Sequence, residues 1–291
     1  MFKLNRTAIK IIPVVMAFLA IVGYFAVPAK YLLRAQKYVK RQKMIITGEL
    51  IKVGNRRIRL DCQGTGGPTV VLEAGLNMTH ETWGKVPEEV SKFGRVCSYD
   101  RAGLGESDPF PEPRPTRTAT QIVDELKELL ANAGERPPFI IVGHSFGGIV
   151  AKLFAIRHPE DTGGLVLIDS SHENQYQLYA QLISSQPERD SYFRHESGNN
   201  HEHVDLVASA DEVRSSSALP PIPVVVLSAR GDLAESKKEL MAAHDEMQEL
   251  VARSQPGAEW VRVDRSGHFI QLDRPDTVID AIRRIHSVKK D

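Results

Sequence analysis

The chain has 291 residues, and its 37 basic side chains balance 37 acidic ones to a formal net charge of zero. That balance offers no electrostatic case for nucleic acid, and two cysteines exclude a disulfide-rich scaffold. Hydrophobic residues at 42% and no repeat or low-complexity tract indicate a globular chain, long enough for one large core.

Residues 1–10 form a short basic tail, and residues 11–29 carry no charge. The uncharged run is long enough to cross a hydrocarbon core of about 30 Å. Lys3, Arg6 and Lys10 precede it, and Lys30, Arg34, Lys37, Lys40, Arg41 and Lys43 follow. It is expected to be a single-pass membrane segment, with a cleaved signal peptide as the alternative; it exceeds an ordinary signal core, and Val27-Pro28-Ala29 only loosely resembles a cleavage site. Residues 30–46 read as a basic juxtamembrane linker, attracted to anionic headgroups or simply solvated.

A domain covering 47–291 opens with two alternating runs around Gly54-Asn55, a predicted β-hairpin. Residues 69–73 are a predicted strand leading into Ala74-Gly75-Leu76-Asn77, and residues 95–100 another, leading into a glycine-rich turn that ends at Ser107. The turn has neither the G-x-G-x-x-G spacing nor a Walker lysine, so it is not read as a phosphate loop. Cys62 and Cys97 fall on predicted strands and are expected to be buried free thiols, although neighbouring strands could pair them in an oxidising compartment. Residues 118–133 place Ile122, Leu126, Leu129 and Leu130 on one helical face, and Gly134 is the predicted stop.

The most informative segment follows. The apolar run at 138–142 passes through Gly143-His144-Ser145-Phe146-Gly147 into a second apolar run at 148–154, a predicted strand, sharp turn and helix with Ser145 at the tip. The flanking glycines make room for a strained turn that lifts the hydroxyl clear of the sheet. A neutral hydroxyl is a poor nucleophile, so it needs a histidine within hydrogen-bond reach and a carboxylate to orient that histidine. Residues 164–168 form a predicted strand ending at Asp169; residues 221–228 form one that runs toward Asp232; residues 259–263 form one followed by His268. Asp232 is taken as the acid and Asp169 as the alternative, while Asp273, close behind His268, is assigned a cap or surface role.

From about Gly48 to the end, these motifs resemble the α/β-hydrolases of the esterase, lipase and carbon–carbon hydrolase group. The resemblance implies an α/β fold with a mostly parallel eight-stranded sheet, helices on both faces and a small helical cap, here about 170–219. It assigns Ser145 as nucleophile, His268 as general base and acid, and Asp232 as orienting carboxylate. Backbone N–H groups of Phe146 and Leu76 would form the oxyanion hole, with Ala74 departing from the frequent histidine. Asp100 and Arg101 belong to the family's Asp-Arg-x-Gly-x-Gly-x-Ser loop and are expected to brace it, and His144 is expected to be structural.

A serine at the turn suits attack on acyl carbon, so an ester-like small molecule is the expected substrate, with no cofactor. The alternative is a ligand receptor on the same fold with slow or no turnover; a scaffold with a vestigial triad is a third reading. The flanking charges, three before the apolar run and six after, favour a cytoplasmic domain. Resemblance to tethered bacterial hydrolases favours an extracytoplasmic one, and that side is the expectation here. Ser170, Ser171 and His172 are expected near the pocket. His195, His201 and His203 lack a zinc spacing and are read as a solvated loop, so no metal is expected. Residues 235–253 make a second amphipathic helix, on which His244 is read as a surface or packing residue.

Overall fold

The computed structural model describes residues 48–110, 112–183, 185–187, 189–190, 200–230 and 238–287. The predicted membrane segment, the basic linker, Asp232 and His195 lie outside these residues. Gly48–Asp291 clusters as one compact unit.

Strand β1 (Glu49–Val53) and β2 (Arg56–Gln63) form the expected hairpin, turning at Gly54 with φ 55°. Then follow β3 (Thr69–Glu73), β4 (Val96–Tyr99), β5 (Phe139–His144), β6 (Thr162–Ile168), β7 (Val224–Arg230) and β8 (Glu259–Asp264). The order across the sheet is β1-β2-β4-β3-β5-β6-β7-β8. β2 runs antiparallel to β1 and β4, and every other pair is parallel.

The helices are α1 (Val86–Val90), α2 (Ala119–Asn132), α3 (Phe146–Arg157), α4 (Gln175–Leu182), α5 (Leu206–Arg214), α6 (Lys238–Arg253), α7 (Ile270–Asp273) and α8 (Pro275–His286). Alternate residues of the central strands feed two cores. Val71, Ile141, Leu165 and Val226 pack with α2 and α3, whereas Val70, Ile140, Val166 and Leu227 pack with α1 and α8. Burial on both faces explains why these strands read as unbroken apolar runs in sequence. Helix α2 is capped by Thr118, whose N–H donates to Gln121 Oε1 at 2.7 Å, and is followed by Gly134 with φ 76°.

One expectation is corrected here. Cys62 and Cys97 are not free thiols: they face each other across the β2–β4 ladder and form a disulfide. The antiparallel register places them directly opposite, with Cα atoms 4.1 Å apart, and sequence spacing alone does not contain that register.

Candidate active site

β5 ends at His144 and α3 begins at Phe146, so Ser145 occupies a single-residue corner between strand and helix. Its backbone is left-handed, with φ 54° and ψ −124°, which is unfavourable for a residue with a Cβ. The corner is held from several sides: the Ser145 N–H donates to Ile168 O at 3.1 Å, and its carbonyl accepts from Gly148 at 2.9 Å and Ser171 at 3.0 Å. The framing glycines are required by close approach. A Cβ on Gly143 would lie 2.5 Å from the Gly147 carbonyl oxygen, and one on Gly147 would lie 2.3 Å from that of Glu73.

His268 lies on the loop between β8 and α7. Its ring stands 4.7 Å from that of His144, the residue before Ser145, and its carbonyl lies 2.9 Å from His144 Nε2. Burial, followed by the neighbouring charge of His268, pushes His144 down to about 3, so it stays neutral and serves as a positioning group. Asp273 steadies the same loop by accepting from the Gly267 N–H at 2.9 Å, in keeping with its assigned cap role.

The carboxylate bonded to His268 is Asp169, the alternative from sequence. Its Oδ2 is 2.6 Å from His268 Nδ1. Asp169 leaves the end of β6 with φ 41°, and its N–H donates to Leu227 O at 2.7 Å. Its Oδ1 accepts from the Ala229 N–H at 2.9 Å and lies 3.1 Å from His244 Nε2. Asp232, the first choice from sequence, is outside the described residues.

His244 is the site residue whose partner sequence reasoning missed. It lies on the expected stripe of α6 but is buried against Asp169, with Tyr179 Oη 3.4 Å from its Nδ1. Burial alone would lower its basicity; the Asp169 carboxylate outweighs that and raises it. Burial likewise would raise the Asp169 carboxyl, yet His244, and then His268, hold it well below the usual carboxylate range. Asp169 is therefore a buried anion gripped between two imidazoles.

Beneath this group Ser170 and His172 are buried and Ser171 is partly buried. Lys152 Nζ lies 2.5 Å from Glu173 Oε2. His172 Nδ1 accepts from the Asn174 N–H at 3.0 Å, which requires a lone pair, and burial followed by Lys152 pushes His172 down to about 4.

The segment Ala74 to Asn77 overlies the corner: a Cβ on Gly75 would lie 3.0 Å from His144 Nδ1 and 3.3 Å from Ser145 Cβ. Phe146 is the first residue of α3, so its N–H has no partner within the helix. Leu76 is buried on the facing loop. Asp100 braces its own loop as expected, accepting from the Glu106 N–H at 3.2 Å and from the His80 N–H at 2.7 Å. Arg101 goes further and reaches Glu73, the carbonyls of Ala74 and Gly75, and Glu202.

A family model described as the alpha/beta hydrolase family matches residues 70–281, which span β3 to α8 and every residue of this site. The chain belongs to that family. A Bacillus subtilis protein described as uncharacterized is 30% identical over 224 residues, covering 76% of this chain and 84% of its own. An AB hydrolase superfamily protein of Gibberella zeae is 26% identical and covers 75% of this chain and 86% of its own. Among solved structures, a thermophilic esterase from Thermogutta terrifontis superimposes with TM-score 0.58 at 22% identity, over 82% of this chain and 99% of its own. An enol-lactonase from Burkholderia xenovorans superimposes with TM-score 0.56 at 19% identity, over 81% and 99%. These likenesses establish the fold and, with the family match, a hydrolase.

Proposed function

We propose that this hydrolase cleaves a carboxylic ester of a small molecule through an acyl-enzyme on Ser145. The observation that carries this reading is the Ser145 corner, next in the chain to His144, whose ring is 4.7 Å from that of His268, a histidine whose Nδ1 is 2.6 Å from a buried carboxylate. In the proposed cycle His268 Nε2 takes the Ser145 proton as Oγ attacks the acyl carbon. Asp169 keeps the proton of His268 on Nδ1 and stabilises the imidazolium that forms. His268 then returns its proton to the leaving alkoxide. Water, activated by the same ring, breaks the acyl-enzyme. The N–H groups of Phe146 and Leu76 are the proposed oxyanion donors, a contribution that typically amounts to about 10²–10³ in kcat for one donor.

Asp169 takes the role that sequence gave to Asp232, and the grip of Ala229 and His244 on its second oxygen supports the assignment. Residues 11–29 are proposed to tether the enzyme to a membrane with the domain outside the cytoplasm. The Cys62–Cys97 disulfide supports an oxidising compartment.

The test is turnover of a p-nitrophenyl ester series of increasing acyl length by the full chain and by Ser145→Ala. Rapid turnover that disappears in Ser145→Ala while thermal stability is retained is the expected result. A folded wild-type chain that turns over none of the series would overturn the esterase reading and favour a ligand receptor.

A further inference from the structure

Glu202 lies in the segment expected to form the cap, 125 residues from Asn77 in sequence, yet its side chain is buried in the wall of the site. Its Oε1 accepts from the Asn77 N–H at 2.5 Å, and the Glu202 N–H returns a bond to Asn77 Oδ1 at 3.1 Å. Both carboxylate oxygens also engage Arg101, Oε2 from Nε at 2.8 Å and Oε1 from Nη2 at 2.7 Å. The other edge of the guanidinium donates to Ala74 O at 2.7 Å and to Gly75 O at 2.6 Å, and it pairs with Glu73 at 2.6 Å. Neither Arg101 nor Glu202 touches the Ser145–His268–Asp169 group in these contacts.

The geometry has a defined consequence for one atom. In a trans peptide the C=O and the following N–H point in opposite directions. With the Gly75 carbonyl drawn onto Arg101, the N–H of Leu76 in the same peptide plane points away from the guanidinium. The Gly75 carbonyl also accepts from the Met78 N–H at 3.2 Å, so flipping this peptide would break that turn bond and the charge-assisted bond to Arg101, while the Ala74 carbonyl and the Asn77 N–H anchor the peptides on either side. Asn77, with φ 58°, completes the turn that Glu202 holds.

We propose that Arg101 and Glu202 are positioning residues for the oxyanion hole, and that Glu202, by arriving with the cap segment, makes hole formation depend on how that segment is seated. The proposal rests on the esterase reading above. The segment around Glu202 is itself anchored: Val204 forms a parallel bridge with Arg117, and Asn200 bonds both the N–H and the carbonyl of Val204. A substrate that displaces this segment would loosen the Leu76 N–H, and one that presses it home would set it, so cap fit is converted into transition-state stabilisation.

The experiment compares wild type, Glu202→Gln and Glu202→Ala in the full chain. Active sites are counted by the end-point of fluorophosphonate labelling, and kcat and KM are measured per labelled site. Affinity for a trifluoromethyl ketone, whose hemiketal oxygen occupies the hole, is measured alongside. The expected outcome is a fall in kcat of about 10-fold for Gln and about 100-fold for Ala, with KM within threefold. Ketone affinity should weaken in step, and amide exchange over residues 74–79 should accelerate.

A residue that merely supports the fold would reduce the count of labelled sites and leave kcat per site and ketone affinity unchanged. That result overturns the proposal even if Glu202→Ala is poorly folded, because Glu202→Gln retains the side chain's volume. Absence of ester turnover and of labelling in wild type would overturn the esterase reading itself, whereas an active wild type with unaffected Glu202 variants would overturn only the clamp.

Discussion

Replacing Asp169 by asparagine separates the proposed acid from its rival. The substitution keeps size and shape, but the contact at 2.6 Å from His268 Nδ1 loses its negative charge, and an amide can present its NH2 to that ring. On the opposite side, the carbonyl oxygen is claimed by the Ala229 N–H at 2.9 Å and by His244 at 3.1 Å. Those two donors hold the asparagine oxygen on their side and so turn its NH2 toward His268. Nδ1 would then have to accept, which moves the ring proton to Nε2, where it can no longer take the proton of Ser145. Losing the correct tautomer in such a triad costs about 10⁴ in kcat. At about 1.4 kcal/mol per factor of ten, that is about 5.5 kcal/mol of transition-state stabilisation.

The assay is kcat for a short-chain p-nitrophenyl ester between pH 6 and 9, normalised to labelled sites, for Asp169→Asn and Asp232→Asn side by side. Asp169→Asn should fall by about four orders of magnitude, and Asp232→Asn should stay within about threefold of wild type. A large loss in Asp232→Asn with a small one in Asp169→Asn would refute the assignment.

Other expectations follow from the buried groups. The folded values of His144 and His172, about 3 and about 4, lie below an unfolded value of about 6.5, so the stability linked to their neutrality is complete above pH 6.5 and is lost as pH falls toward the folded values. Each group should contribute a slope of up to about 1.4 kcal/mol per pH unit in that window, and His172→Asn should flatten the dependence of urea-unfolding stability on pH between 6 and 4.5. An unchanged slope would contradict the buried neutral state. Reducing the Cys62–Cys97 disulfide, which closes a separation of 35 residues, should cost about 4 kcal/mol, read as a lower melting temperature in a phosphine reductant. Gly147→Ala places a methyl group 2.3 Å from the Glu73 carbonyl oxygen and should lower kcat far more than KM by shifting the Ser145 corner; wild-type kcat would refute that. His244→Gln removes a bond to a buried carboxylate and should destabilise the fold by about 1.5–3 kcal/mol, measured by chemical unfolding.

The legible parts of this protein were those encoded in local pattern. The strands at 69–73 and 138–142 announced themselves as apolar runs because both faces of the sheet are covered, and the Ser145 corner did so through its glycines. The same logic brought His268 to a strand end. It left two carboxylates, Asp169 and Asp232, each just past a predicted parallel strand, with nothing in the composition of either segment to choose between them. The φ of 41° at Asp169 and the aim of the Ala229 N–H have no signature in sequence. His244 was visible on its helical stripe, but not the fact that the stripe faces an anion.

Arg101 and Glu202 are 101 residues apart, and neither carries a signal that names the other. The glycine-rich loop did mark Arg101 as a bracing residue, although the object it braces is the loop after β3 as well as its own. The two cysteines were placed on strands correctly, and only the strand order and register decided that they pair.

The central claim is that Ser145 is the nucleophile of an acyl-transfer site, and the most direct measurement is the map of fluorophosphonate attachment on the folded full chain by peptide mass spectrometry. The account predicts a single adduct on Ser145, formed much more slowly in His268→Ala and in Asp169→Asn. A folded chain that stays unlabelled, or one labelled instead at Ser170 or Ser171, would contradict it.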